Sequence, residues 1–363
     1  MISMDAATAL RLACIGAKPE LTPRARAGLQ ACHDRAEFVR LAEFHKVLPW
    51  VAAAMASDSS ADVNGFPGLA AAAGGQAFHT LRLFSELTFL VRQLNADHIP
   101  VVVLKGPVLA ESAYPEPGLR PYGDVDILIH ERDLVEVSRL LLRRGYLEKN
   151  GAHDHGAHRV HECHGVFQRI FVNESTGLTV EVHCDHLQIG LEPVGMDEIW
   201  QSSTQVNFGR AEARALERHD LFVQLCVHLQ RHGYERLIWF KDLDLLVRQD
   251  ELDWELVAQR ASDQGCLAAV SYTLWLLPQV LRTPMPEGAV RLSHAQGALS
   301  RWIYRRMWPV AGILALAPQR QWRFRRLTQF APESGTLRGG LPSFLTNGRR
   351  RDKARVLWAS IRK

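Results

Sequence analysis

Residues 99–129 read IPVVVLKGPVLAESAYPEPGLRPYGDVDILI. The run of β-formers at 101–104 predicts a strand, and Lys105-Gly106 ends it. Pro107 suits the first position of a short helix, and the Pro/Gly-rich stretch that follows reads as a loop. A second apolar segment then opens with Asp124-Val125-Asp126. Side chains alternate along a strand, so the two aspartates share one face while Val125 and Ile127 take the other. Two carboxylates on one face repel each other unless a cation lies between them. A hard divalent ion with oxygen ligands, Mg²⁺ or in its place Mn²⁺, is the expected counter-charge.

The surrounding chain allows such a site. Its 363 residues suffice for two or three domains, and at 47% hydrophobic and 23% charged the composition is that of an ordinary soluble protein. The net charge of +4 is uneven, because residues 301–363 hold 15 Lys/Arg against two acids and leave the first 300 residues at −9. Six cysteines without a C-x-x-C pair fit reduced thiols, and with no signal-peptide pattern at the N-terminus a cytoplasmic location is expected. The apolar run 310–317 is too short to span a bilayer.

Helical spacing predicts helices over 5–56, a linker at 57–68, and a long amphipathic helix over 70–97 with Leu83, Leu87, Leu90, Val91 and Leu94 on one stripe. Strands are expected at 99–104 and 125–129, a helix at 131–144, and a hairpin from 166–172 and 178–182 about the turn Asn173–Gly177. From about Met196 the periodicity reads as mostly helical, including 211–230, 237–248, 254–264, 266–277 and 296–308, with Pro278, Pro284 and Pro286 as breaks. The expected fold class is α+β. A small mixed sheet with helices forms a core over 76–200, between an N-terminal helical segment (1–75) and a C-terminal helical domain (201–363).

Further residues suit the aspartate pair. In TVEVH, Glu181 and His183 share a strand face, and a third carboxylate on a neighbouring strand is what two-metal phosphoryl transfer requires. Lys105 and Gly106 are placed to bind phosphate, Gly106 by admitting an anion to the backbone at a helix start, and Arg120 is a further phosphate group. The stretch GAHDHGAHRVHECHG (151–165) invites a zinc reading, but its spacing matches no standard site. Within it, His161 or His164 is a candidate acid/base. His228 and His232 lie four apart on one helix face with no third ligand indicated, and beyond them Asp242 is the strongest functional candidate. The C-terminus, with Arg301, Arg305, Arg306, Arg323, Arg325, Arg326 and Arg349 to Arg351, is either a solvated helix face or a grip for RNA, DNA, an anionic membrane or an acidic peptide.

The combination of LKG, Ala113-Tyr114, GLRPYGDVDIL and VEVH resembles the polymerase-β-type nucleotidyltransferase superfamily, in particular its bacterial branch known as nucleotidyltransferase family proteins. AEFHKVLPWV (42–51) and LCVHLQRHGYERLIWFKDLDLL (225–246) extend the resemblance to roughly residues 35–250. It implies a polymerase-β-type core and a metal-dependent enzyme that moves NMP from an NTP, such as ATP, to a hydroxyl- or phosphate-bearing acceptor and releases pyrophosphate. It also implies Asp124 and Asp126 as metal ligands, Glu181 as third ligand or base, and Gly106 against the β- and γ-phosphates. The acceptor, whether small molecule, peptide or protein, stays open. Lys-Gly-Pro replaces the superfamily's usual Gly-Ser or Gly-Gly, which removes a hydroxyl ligand. The competing class is a non-catalytic nucleic-acid-binding protein that uses the basic C-terminus.

Overall fold

A computed structural model describes residues 4–149, 168–184 and 196–316. The His-rich stretch with His161 and His164, and the arginines from residue 320 onward, lie outside the described residues. The chain divides into two units, Ala71–Leu221 and Met1–Ala70 with Phe222–Lys363.

Four short helices open the chain: α1 (Ala6–Ala13), α2 (Pro23–Gln30), α3 (Arg35–Phe44) and α4 (Leu48–Ala56). Asp5, Thr22 and Asp34 cap the first three by accepting from the backbone N–H of Thr8, Ala25 and Glu37, which satisfies donors that a helix start leaves open. The long helix α5 (Leu69–Ala96) follows, and the five residues of its expected apolar stripe are all buried.

The sheet unit then continues as β1 (Val102–Leu104), α6 (Gly106–Ser112), β2 (Asp124–Leu128), α7 (Leu134–Arg143), β3 (Leu147–Lys149), β4 (Gln168–Val172), β5 (Thr179–His183), α8 (Met196–Ser202), β6 (Thr204–Phe208) and β7 (Ala211–Ala215). Its strands form one mixed sheet in the order β3-β4-β5-β2-β1-β7-β6. β2 is central, antiparallel to β1 and parallel to β5. β1 and β2 are buried along their lengths except at Asp124, as their near-continuous apolar sequences require.

Residues 211–215, expected to open a helix over 211–230, form a strand. Residues 204–215 form the hairpin β6–β7, which joins the sheet through the parallel pair β1–β7, and helix begins only at Arg218. In AEARA, buried Ala211, Ala213 and Ala215 alternate with Glu212 and Arg214. That period of two was masked by alanine's high helix propensity, which sheet pairing overrides.

The second unit adds α9 (Arg218–Arg231), α10 (Leu237–Arg248), α11 (Trp254–Asp263), α12 (Leu267–Leu281), α13 (Glu287–Ser293), α14 (Ala298–Met307) and α15 (Val310–Leu314). Pro278, expected as a break, lies inside α12. A proline there removes one helical N–H and disturbs the preceding turn, and the Gln279 side-chain amide donates to Trp275 O at 2.7 Å in that turn. Among the described residues, no helix is long and apolar enough to cross a membrane.

The helical unit is tied together by a buried ion network. Asp244 Oδ2 receives Lys241 Nζ at 3.0 Å. Asp244 Oδ1 accepts from Arg248 Nε at 2.8 Å and from Thr283 Oγ1 at 2.7 Å. Lys241 also donates to the Gly16 carbonyl and lies 4.0 Å from the centre of the Trp50 ring. Lys241 and Asp244 are both fully buried, so neither charge can be met by water if the other is lost. Asp244→Ala is expected to cost about 3–5 kcal/mol in urea unfolding, and Lys241→Met with Asp244→Leu should recover much of that loss.

Candidate active site

The site is built on three adjacent strands in the middle of the sheet, where β1 ends against β2. In the parallel pair β2–β5, Asp126 lies opposite Glu181 and Leu128 opposite His183. Residues so paired share a face, so the register brings together carboxylates 55 positions apart in sequence. Asp126 Oδ1 lies 2.9 Å from His183 Nε2, and the same nitrogen is 3.6 Å from Glu181 Oε2. Ligand atoms of Asp126, Glu181 and His183 all fall within 4.8 Å of one another.

Lys105 reaches the cluster from the other side. In the antiparallel pair β1–β2, Leu104 lies opposite Asp126. A strand continued one residue further would send Lys105 to the opposite face. Instead Lys105 adopts φ +53, ψ −115, which ends the strand and brings Nζ to 3.2 Å from Asp126 Oδ1. Asp126 is therefore held by a lysine and a histidine on one oxygen.

Gly106 follows and opens α6. A Cβ at this position would meet Tyr122 Cβ at 3.0 Å and Arg120 Nη1 at 3.1 Å. The glycine is thus required by the packing of the loop that leads into β2. Arg120 is buried there and donates through Nη1 to Pro121 O at 3.2 Å. Tyr122 was passed over in the sequence, where nothing marks it except its place beside Gly123-Asp124. Asp242 lies in the helical unit, fully buried on α10. His228 and His232 pack their rings 4.5 Å apart, each 4.9 Å from Trp239.

Electrostatics at the site express the crowding of like charge. Asp124, at the exposed start of β2, is nonetheless ringed by protein. Lost hydration, then repulsion from Asp126 and Glu181, raise its pKa from an ordinary 3.8 to about 6, against the attraction of Lys105 and Arg120. Burial alone would lower the pKa of His183, but its contacts with Asp126 and Glu181 outweigh this and hold it above the usual histidine value. A divalent cation fits such a site: the donors are oxygens and one imidazole nitrogen, close enough to share an ion, and the carboxylates repel without one.

Residues 32–282 match the family model described as uncharacterised nucleotidyltransferase. Among solved structures, the chain is similar to an antigenic nucleotidyltransferase-like protein from Paracoccidioides brasiliensis, with 17% identity, 58% of this chain and 96% of that one covered, and a TM-score of 0.37. No curated protein matches the chain.

Two expected outcomes follow from the geometry. Asp124→Asn removes a charge whose cost, from lost hydration and then from repulsion, is fully present above about pH 6 and absent below 3.8. The metal-free variant should therefore melt at a higher temperature than wild type at pH 7.5, with the gain gone by pH 3.5, as followed by circular dichroism. Gly106→Ala should destabilise the protein by about 1–3 kcal/mol in urea unfolding, because the Cβ of Tyr122 cannot rotate away from the added methyl group.

Proposed function

The chain belongs to an uncharacterised nucleotidyltransferase family, and on that premise we propose that it transfers NMP from an NTP to a hydroxyl- or phosphate-bearing acceptor, releasing pyrophosphate. The observation that carries this reading is the register of β2 against β5, which gathers Asp126, Glu181 and His183; Asp124 lies outside that cluster and is tied to it by strand alternation and by its repulsion from Asp126 and Glu181. Asp124, Asp126 and Glu181 would hold the divalent ion, Mg²⁺ or Mn²⁺. Bound there, the ion would neutralise phosphate charge and lower the pKa of the attacking hydroxyl.

The remaining work falls to the chain's own groups. Asp126 is kept in one orientation by the His183 contact at 2.9 Å. Glu181, less enclosed than Asp126, accepts the acceptor's proton as attack begins. Lys105 and Arg120 supply positive charge for the triphosphate, and the backbone at Gly106 lines its path. Catalysis in this scheme is positional and electrostatic, with no covalent intermediate.

The test uses each of the four NTPs, labelled at the α-phosphate, with Mg²⁺ or Mn²⁺, and reads both pyrophosphate release and label transfer to candidate acceptors or to the protein itself. At least one NTP should raise the melting temperature in the presence of the metal and release pyrophosphate. Asp126→Asn should lower that release by about 100-fold or more. Failure of every NTP to stabilise the wild-type protein with either metal would sink the reading.

A further inference from the structure

We propose that Lys105 is a built-in cation: its ammonium holds Asp126 while no divalent ion is bound, and gives way when one binds, becoming available to the triphosphate. This inference rests on the proposed function and deepens it, because it makes metal entry an exchange of one cation for another.

The backbone is the first observation. Lys105, at φ +53 and ψ −115, has the conformation of the first central residue of a type II′ turn, a position that strongly favours glycine. A lysine side chain is disfavoured there. The Lys105 carbonyl accepts from Leu109 N at 2.9 Å, so this residue also begins α6 and its backbone is fixed between strand and helix. The strained conformation is what aims the ammonium at the acidic cluster.

The second observation is the crowding of a single oxygen. Asp126 Oδ1 meets both Lys105 Nζ at 3.2 Å and His183 Nε2 at 2.9 Å. A carboxylate oxygen has two lone pairs, so a divalent ion that takes this oxygen must displace one of the two partners. His183 is 2% exposed and sits on a sheet strand, held also by its contact with Glu181. Lys105 is buried as well, its side chain 8% exposed, but its four-carbon stem has more rotatable bonds than the imidazole and lies beyond the end of β1, outside the strand pairing. The lysine is the partner that yields.

Binding of Mn²⁺ in the absence of nucleotide, read from the free-ion signal in electron paramagnetic resonance, tests the exchange. Lys105→Met removes the competing ammonium, and Lys105→Gly removes both the ammonium and the backbone strain, which guards against a variant that fails to fold. Each should bind Mn²⁺ about tenfold more tightly than wild type. In wild-type protein labelled with ¹⁵N at lysine Nζ, the ammonium resonance missing from Lys105→Met should shift on titration with Mg²⁺ alone. Unchanged or weaker Mn²⁺ binding in the folded variants, or an unmoved Lys105 resonance while the His183 ring signals respond to Mg²⁺, overturns the exchange and leaves the nucleotidyltransferase reading intact. Absence of metal binding in wild type and variants, with or without NTP, overturns both.

Discussion

Carboxylates crowded at the centre of one sheet set the terms for everything near them. Asp124 and Asp126 share a face of β2, and the parallel register of β5 adds Glu181 beside Asp126. Lost hydration, joined by their repulsion, lifts Asp124 toward neutral pH, and the crowded charge demands positive charge close by. The protein meets that demand in two ways within its own chain, through Lys105 on the β1 side and His183 on the β5 side, both directed at Asp126 Oδ1. The same crowding of oxygen donors makes the cluster compatible with a divalent ion, whose two charges would offset more of the repulsion than the lysine and histidine do.

The surrounding structure serves that arrangement. β2 is buried on both faces except where Asp124 begins it, which confines the polar groups to one end of the strand. Gly106 gives up its side-chain volume so that Tyr122 and Arg120 can pack against the start of α6, and this fixes the loop that delivers Asp124. The helical unit has its own device, a buried Lys241–Asp244 pair braced by Arg248 and Thr283, which joins residues distant in sequence where no disulfide does so among the described cysteines.

Much of this was legible in the residues. The D-x-D pair, the strands around it, the helical character of 5–56 and the stripe of α5 all follow from local periodicity, which depends only on neighbours in sequence. Glu181 and His183 stood out because alternation puts them on a common face of β5. The readings that failed are those in which local preference opposed the tertiary environment. Alanine-rich β7 reads as helix until β1 pairs with it, and Pro278 reads as a break until it is enclosed in a helix whose disturbed turn receives the Gln279 amide.

Residue order alone therefore determined which groups share a face, that paired acidic side chains are present, and that a nucleotidyltransferase-like α+β core surrounds them. Only the tertiary structure decided which carboxylate stands beside which, that Lys105 turns onto Asp126 and away from the opposite face, and that Gly106 is needed for packing. The physical reason is that strand alternation is a property of one segment, whereas register and the turn at Lys105 come from strands meeting across the sheet. Leu104 lies opposite Asp126 and Asp126 opposite Glu181, and no spacing within a single segment encodes that meeting.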